Sequence, residues 1–204
     1  MKMHGVAPAV SLASPVIPTE TPIRPTRTAN DEDLRLARAC ATGDTGVFEE
    51  IYRTHGDRMK SIAYNHLGNV SDAEDAVQET FLKVHRAAST YNGESAFGTW
   101  LYRVLINTCY DALRRRQRRI QEAPIDDGIA TGRAGSSVDD AKRMTLRKML
   151  NELPEQRRSV FLLFEVEGLS HSEIAQVLNI TEGNSKWILF TTRKQLQEKW
   201  KNMS

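Results

Sequence analysis

The chain has 204 residues, 40% of them apolar and 26% charged, which suits one ordinary domain or two small ones joined by a linker. It holds no apolar run of the roughly 18 residues that a membrane-crossing helix needs, so no membrane insertion is expected. The formal net charge of +2 does not by itself point to a polyanionic partner. Its distribution is more telling: residues 31–96 carry twelve acidic against seven basic side chains, whereas residues 97–119 carry six arginines against the single Asp111.

Residues 1–30 contain five of the seven prolines, Pro8, Pro15, Pro18, Pro22 and Pro25, mixed with Thr, Ser and Ala. Such a segment cannot sustain a helix and buries little, which predicts a disordered tail. Pro8 interrupts the short apolar run near the start, so no export signal is expected. Cys40 and Cys109 lie far apart and lack the C-x-x-C or Cys/His spacing of a zinc site. Reduced thiols of a cytoplasmic protein are expected, with neither a disulfide framework nor a bound metal.

From Asp33 onward the pattern is helical. Leu34, Ala37 and Ala41 share one face, and Gly43 and Gly46 separate them from a second run made of Val47, Phe48, Ile51 and Tyr52. A third helix is expected over residues 57–67, ending at Gly68, and the S-x-x-E pair Ser71 and Glu74 reads as a capping box that opens a fourth. In that fourth helix, which runs to about Ala88, Ala73, Val77, Phe81 and Val84 form a buried stripe, while Asp72, Asp75, Gln78, Glu79 and Lys83 lie off it as a polar surface. Asn92 and Gly93 mark residues 89–95 as a loop. Residues 97–119 then read as a long helix whose end is nearly all arginine.

That end carries Arg114, Arg115, Arg116, Arg118 and Arg119, a density of charge able to neutralise phosphates and release counterions. Arginines also suit a helix C-terminus on electrostatic grounds alone. The aromatics nearby add to the case for nucleic acid: Phe97, Trp100, Tyr102 and Tyr110 interleave with Arg103 and Asn107 just before the run, and Tyr91 precedes them. Aromatic faces stack on unpaired bases and Asn bonds base edges. Phe97 and Trp100 read as core, leaving Tyr91, Asn92 and Asn107 as the better contacts.

Residues 120–138 change character, with Pro124, Asp126, Asp127, three glycines and two serines, and no sustained apolar period, which predicts a flexible linker between two domains. Beyond it Met144, Met149, Leu150 and Leu153 start a helix that stops at Pro154, and residues 160–166 are largely apolar. Residues 168–196 read as a helix-turn-helix: Ser170 and Glu173 form a capping box, Ile174, Ala175 and Leu178 face inward, and Asn179 and Ile180 make the turn. Thr181 caps the second helix, in which Leu189 and Leu196 face the core and Asn184, Ser185 and Lys186 sit near the N-terminus, where recognition helices meet base edges.

Catalysis finds little support. The five histidines have no paired carboxylate or nucleophile at usable spacing, and no phosphate-cradling glycine loop is present. The acidic group Asp72, Glu74 and Asp75 is accounted for by a helix start. No enzymatic activity, cofactor or metal is expected.

The run DAEDAVQETFLKVHRA followed by YNGESAFGTWLYRVLINTCYDALRRRQRR resembles region 2 of the extracytoplasmic-function (ECF) RNA polymerase sigma factors, in the sigma-70 family. The later LPEQRRSVFLLFEVEGLSHSEIAQVLNITEG resembles their region 4. The resemblance covers roughly residues 31–117 and 146–196 and implies an all-α protein of two small helical domains. The domains would be a disordered tail over 1–30, region 2 over 31–119, a flexible linker over 120–143 and region 4 over 144–204.

By the same resemblance Asp72, Asp75, Gln78, Glu79 and Lys83 would meet the clamp helices of core polymerase. Tyr91, Asn92, Arg103, Asn107, Arg114, Arg115, Arg116 and Arg118 would handle the minus-ten element, with a flipped base held in the 89–96 loop. Ser170, Thr181, Glu182, Asn184, Ser185, Lys186, Trp187 and Arg193 would meet the minus-thirty-five element. Partners implied are core RNA polymerase, promoter DNA and an anti-sigma protein. The alternative is a stand-alone helix-turn-helix regulator. The sequence departs from the family in region 4: members commonly read G-T-V-K-S-R after the turn, whereas this chain reads GNSKWILFTTRKQL, with Ile188 where an arginine is common and Thr191 and Thr192 in place of a basic stretch. Recognition there is expected to be retained but altered.

Overall fold

The computed structural model describes residues 29–122, 145–146 and 148–203. The expected tail and most of the expected linker lie outside the described residues. Among those described, every regular element is helical and no strand occurs.

Helix α1 (Asp31–Thr42) opens on a full capping box, Asn30 and Asp33 each accepting from the other's backbone N–H, and closes at Gly43, whose φ of 78° is left-handed. Asp33 also accepts from the backbone N–H of Phe97 at 3.0 Å. One buried carboxylate thus caps α1 and holds the start of the arginine-bearing helix.

Helix α2 (Thr45–Leu67) is continuous where the sequence suggests two runs. Gly56 does not interrupt it, because a glycine inside a helix costs only about 1 kcal/mol and this one is buried against its own helix: a Cβ there would sit 3.2 Å from the Tyr52 ring. Helix α3 (Val70–Ala87) begins one residue before Ser71, and its cap is Asn69, which accepts from Asp72 N at 2.7 Å. The expected Ser71–Glu74 capping box is therefore superseded by the asparagine two residues earlier. Ala73, Ala76, Val77, Thr80 and Val84 form the buried stripe, with Phe81 half-buried edge-on to Phe48.

A short 3-10 turn (Ala88–Thr90) and a loop lead into α4 (Phe97–Glu122), which runs past the expected end at Arg119. Gly98 allows α4 to approach α2, since a Cβ at that position would lie 2.9 Å from the His55 ring. Ile51, Met59 and Ile62 of α2, Val84 of α3, and Phe97, Leu101, Leu105 and Ile106 of α4 make the centre of the first bundle.

The second bundle holds α5 (Glu155–Phe161), which continues as a π-helical turn (Leu162–Val166), then α6 (His171–Leu178) and α7 (Glu182–Met203). The Ser170–Glu173 capping box forms, Asn179 takes the left-handed conformation at φ 53°, and Thr181 Oγ1 accepts from Asn184 N at 3.1 Å. A helix-turn-helix is the result, with Ile174, Val177, Ile188 and Leu189 inside it.

The two bundles pack on each other. Val160, Leu163, Leu169, Ile174 and Val177 belong to the same buried cluster as Leu101 and Leu105, and α6 lies along α4. Polar contacts cross the seam at three places. Ser61 Oγ donates to Glu167 Oε1 at 2.7 Å while Arg58 donates to the Glu167 carbonyl. Arg103 Nε donates to the Gln176 carbonyl at 2.7 Å. His66 Nε2 lies 2.9 Å from Ser159 Oγ, which is 2.6 Å from the Tyr110 hydroxyl.

Candidate nucleic-acid and polymerase interfaces

The first half of α4 is interior. Trp100 and Tyr102 are buried, and Asn107 is the exposed position of that stretch. From Arg114 onward every residue to Gln121 is exposed, so Arg114, Arg115, Arg116, Arg118 and Arg119 fan out around the helix within less than two turns. Asp111, Arg114, Arg115, Gln117, Arg118 and Gln121 line one open groove. Arg115 is bound to Glu79 at 2.9 Å, and Arg114 lies 3.9 Å from Asp111.

Of the expected minus-ten contacts, the structure brings Asn107 and the arginine run to the surface and leaves Asn92 exposed in the loop, its side chain accepting from Glu94 N at 3.2 Å. Tyr91 and Arg103 sit differently. Tyr91 is packed edge-on against Phe97 and Trp100, with centroids 5.7 and 5.5 Å away, and its hydroxyl donates to the Ser95 carbonyl at 2.5 Å. It shapes the loop from beneath. Arg103 is half-buried under α6.

On α3, Asp75 and Gln78 are exposed, whereas Asp72, Glu79 and Lys83 are half-buried. Lys83 reaches Asp111 at 3.0 Å and Glu79 at 3.2 Å, so an ionic chain of Asp111, Lys83, Glu79 and Arg115 ties α3 to α4. The hydrogen bond from Arg115 holds the Glu79 carboxyl below the usual range, against a smaller opposing effect of burial. For Lys83 burial works to lower the ammonium, and the bonds to Asp111 and Glu79 overcome it and raise it. Beside these groups Leu82 is 61% exposed, an apolar side chain open to a partner on the same face.

On the helix-turn-helix, Glu182, Asn184, Lys186 and Trp187 are exposed, with Lys186 paired to Glu182 at 2.6 Å. Ser185 is fully buried, its hydroxyl 3.0 Å from His171 Nδ1, and Ser170 is occupied by its capping box. Arg193, half-exposed, is held along the surface: its Nε donates to Glu165 at 2.5 Å and its guanidinium lies 5.5 Å from the Phe164 ring centre. Ile188, which takes the position where the family commonly has an arginine, is core at 3% exposure. Phe190, not singled out from the sequence, is 68% exposed. Its signal was its place three residues after Trp187 and off the inward set Ile188, Leu189 and Leu196.

Two family profiles match the chain, Sigma-70 region 2 over residues 51–119 and Sigma-70, region 4 over residues 143–196. The ECF RNA polymerase sigma factor SigE of Mycolicibacterium smegmatis is 33% identical over 177 residues, spanning 83% of this chain and 68% of that protein. The chain belongs to the ECF group of the sigma-70 family. It is a promoter-directing RNA polymerase sigma factor, and the reading as a stand-alone regulator is not favoured.

SigM of Mycobacterium tuberculosis is 29% identical over 154 residues, covering 76% of this sigma factor and 77% of its own length. Among solved structures, CnrH in complex with the cytosolic domain of CnrY shares the fold at a TM-score of 0.63 and 23% identity, covering 85% of this chain and 100% of that one. RpoE in complex with the anti-sigma factor NepR from Bartonella quintana gives a TM-score of 0.58 at 25% identity, covering 76% of this chain and 96% of that one. In this sigma factor Cys109 is fully buried in α4 and burial pushes its thiol up to about 12. Little thiolate is then present at neutral pH to react with oxidants.

Proposed function

We propose that this sigma factor docks on core polymerase through the outer face of α3, with Asp72, Asp75, Gln78, Glu79 and Lys83 as the polar contacts and Leu82 as an apolar one. The proposed domain limits are 31–119 and 144–204, joined by a linker over 120–143; they overlap the matched regions 51–119 and 143–196. Asn92 and Asn107 meet unpaired bases of the minus-ten element, and Arg114, Arg115, Arg116 and Arg118 hold the adjacent phosphates. The observation that carries this reading is the exposed arginine run on α4 beside the exposed Asn107, in the same chain as a capped helix-turn-helix.

Stacking of an unpaired base is worth about 1–3 kcal/mol, enough to offset part of the cost of opening a base pair. Tyr91 acts by holding the loop that presents Asn92, and Ser170, Thr181 and Ser185 act by fixing the start and seat of the recognition helix. Thr181 caps that helix, and Glu182, Asn184, Lys186 and Trp187 are its groove-facing side chains. Arg103 and Arg193 are engaged elsewhere in this arrangement and become available for DNA only when α6 leaves α4, or Glu165 is exchanged for phosphate.

No bond chemistry is assigned to the chain; it works in the cytoplasm as a recognition subunit and polymerase carries out synthesis. The packed arrangement of the two bundles, with α6 over Arg103, withholds Arg103 from the minus-ten element. An anti-sigma protein that favours this packed state is a fitting partner, as the similar RpoE is held in complex with one. The test is transcription by core polymerase with and without the protein on promoter fragments at stated salt. Core-dependent, promoter-specific initiation is expected; specific duplex binding with no core binding and no initiation would overturn the reading.

A further inference from the structure

The outward stripe of α7 is unusual for a surface meant for a polyanion. Gly183, Lys186, Trp187, Phe190 and Lys194 are exposed at helical spacing, opposite the buried Ser185, Ile188, Leu189, Thr192 and Leu196. Its largest members are aromatic, Trp187 at 57% and Phe190 at 68% exposure. Of the basic groups near them, Lys186 pairs with Glu182 and Arg193 with Glu165, while Lys194 stays exposed at the far end of the stripe. A pair of exposed aromatics one turn apart on the outward face of a helix marks a contact surface. This one continues the polar N-terminal end of the helix that enters the groove.

We infer that Trp187 and Phe190 read the minus-thirty-five element by apolar contact with thymine C5-methyl groups in the major groove. The inference rests on the assignment of α7 to that element made above. The major groove offers one apolar group, the thymine methyl, and aromatic side chains recognise it by contact rather than by hydrogen bonding. Residues three apart on a helix are displaced by about 4.5 Å along its axis, close to one base-pair step of about 3.4 Å. The pair therefore selects thymines at neighbouring steps. Bidentate arginine readout of guanine, which needs a free guanidinium, has no side chain on this stripe to supply it.

The test uses the full chain with core polymerase. A promoter library randomised over the minus-thirty-five element is selected for initiation, and neighbouring thymines are expected in the selected set. Deoxyuridine is then placed at those positions, which removes only the methyl groups. Each methyl buried is worth a factor of about 3 to 4, so loss of two should weaken initiation roughly tenfold. Trp187→Ala with Phe190→Ala should cause a similar loss on thymine templates and little further loss on uracil templates.

Equal loss from the double variant on thymine and uracil templates would overturn the inference, since the aromatics would then act on something other than the methyls, such as a protein partner. Selection of guanine-rich elements indifferent to uracil would also overturn it. A template with a pre-opened minus-ten region separates the two levels. Initiation there with no methyl effect elsewhere sinks this inference and leaves the sigma reading intact, whereas no core-dependent initiation on either template sinks both.

Discussion

The outward end of α4 carries Arg114, Arg115, Arg116, Arg118 and Arg119, whereas the outward stripe of α7 carries Trp187 and Phe190, with Lys186 already paired to Glu182. The two helices assigned to promoter DNA thus present opposite chemistries. Charge acts through counterion release, is insensitive to base identity and fades with salt. Aromatic contact depends on shape and on methyl groups and is nearly indifferent to salt. Under the proposed assignments most of the charge-driven affinity falls on region 2, and region 4 is left to select chiefly by apolar contact.

The largest expected effect tests the charged side. Replacing Arg114, Arg115, Arg116 and Arg118 together by Gln should lower holoenzyme affinity for promoter DNA by roughly a hundredfold at moderate salt and flatten the log–log salt slope by about 3. Binding measured across a salt series gives both numbers. The Trp187 and Phe190 double alanine variant should leave the slope unchanged within error. Slopes altered alike by both variants would erase the distinction between the helices.

The next effect concerns what keeps the first half of α4 covered. His66 is buried where the bundles meet, and its Nδ1 lies 2.8 Å from the Ile62 carbonyl, to which it must donate. Its Nε2 is then free to accept from the Ser159 hydroxyl, which in turn accepts from Tyr110. That chain suits a neutral ring. Burial, with a smaller contribution from Arg158, lowers His66 from 6.5 to about 4, against the opposing bond to Ile62.

Because the folded value is the lower one, the unfolded chain binds the extra proton first. The stabilisation is complete above about pH 6.5 and is lost as pH falls toward 4, amounting to roughly 3 kcal/mol over that window. Urea denaturation at pH 7 and at pH 4.5 should show it, and His66→Gln should remove most of the difference. A pH dependence unchanged in that variant would mean that other groups carry it.

Most of the helices were legible in the sequence because each carries its own punctuation: Gly43, Gly68, the Ser170–Glu173 box and Asn179 act within a few residues of themselves. The errors were also local. Residues 47–52 and 57–67 read as two helical runs, yet one helix spans both with Gly56 at a buried site between them, and Asn69 outcompeted Ser71 as the cap of α3. The arginine run was plain to see. Tyr91 was not, since an aromatic residue in a loop reads alike whether it stacks on a base or on Phe97 and Trp100. The seam was the least visible: Ser61 and Glu167, or His66 and Ser159, are about a hundred residues apart and carry no local signature.

Glu167 gives the next step down. Its side chain is 7% exposed and meets Arg58 and Ser61 across the seam. Glu167→Ala should cost about 1–3 kcal/mol, the range for leaving buried polar partners unpaired. If the packed state masks Arg103, as its bond to Gln176 indicates, the same variant should increase the hydrodynamic radius and make Arg103→Ala more damaging to minus-ten binding than it is in the parent chain. A variant that loses stability but keeps the parent's radius would show that the seam contact supports folding without governing access to α4.

The smallest expected effect lies where the polymerase and DNA surfaces meet. Glu79 belongs to the α3 face assigned to polymerase, but it also holds Arg115 of α4 at 2.9 Å and Lys83 at 3.2 Å. Ion pairs that remain open to solvent on one side, as these half-buried ones do, are worth about 1 kcal/mol or less, so Glu79→Gln should alter folding stability little. It frees Arg115 for phosphate, which should steepen the salt slope of DNA binding by up to about 1, while docking on core polymerase weakens through loss of the carboxylate. If core affinity falls and the slope steepens, Glu79 divides its charge between the two surfaces. A steeper slope with unchanged core affinity would assign Glu79 to α4 alone and remove it from the docking face.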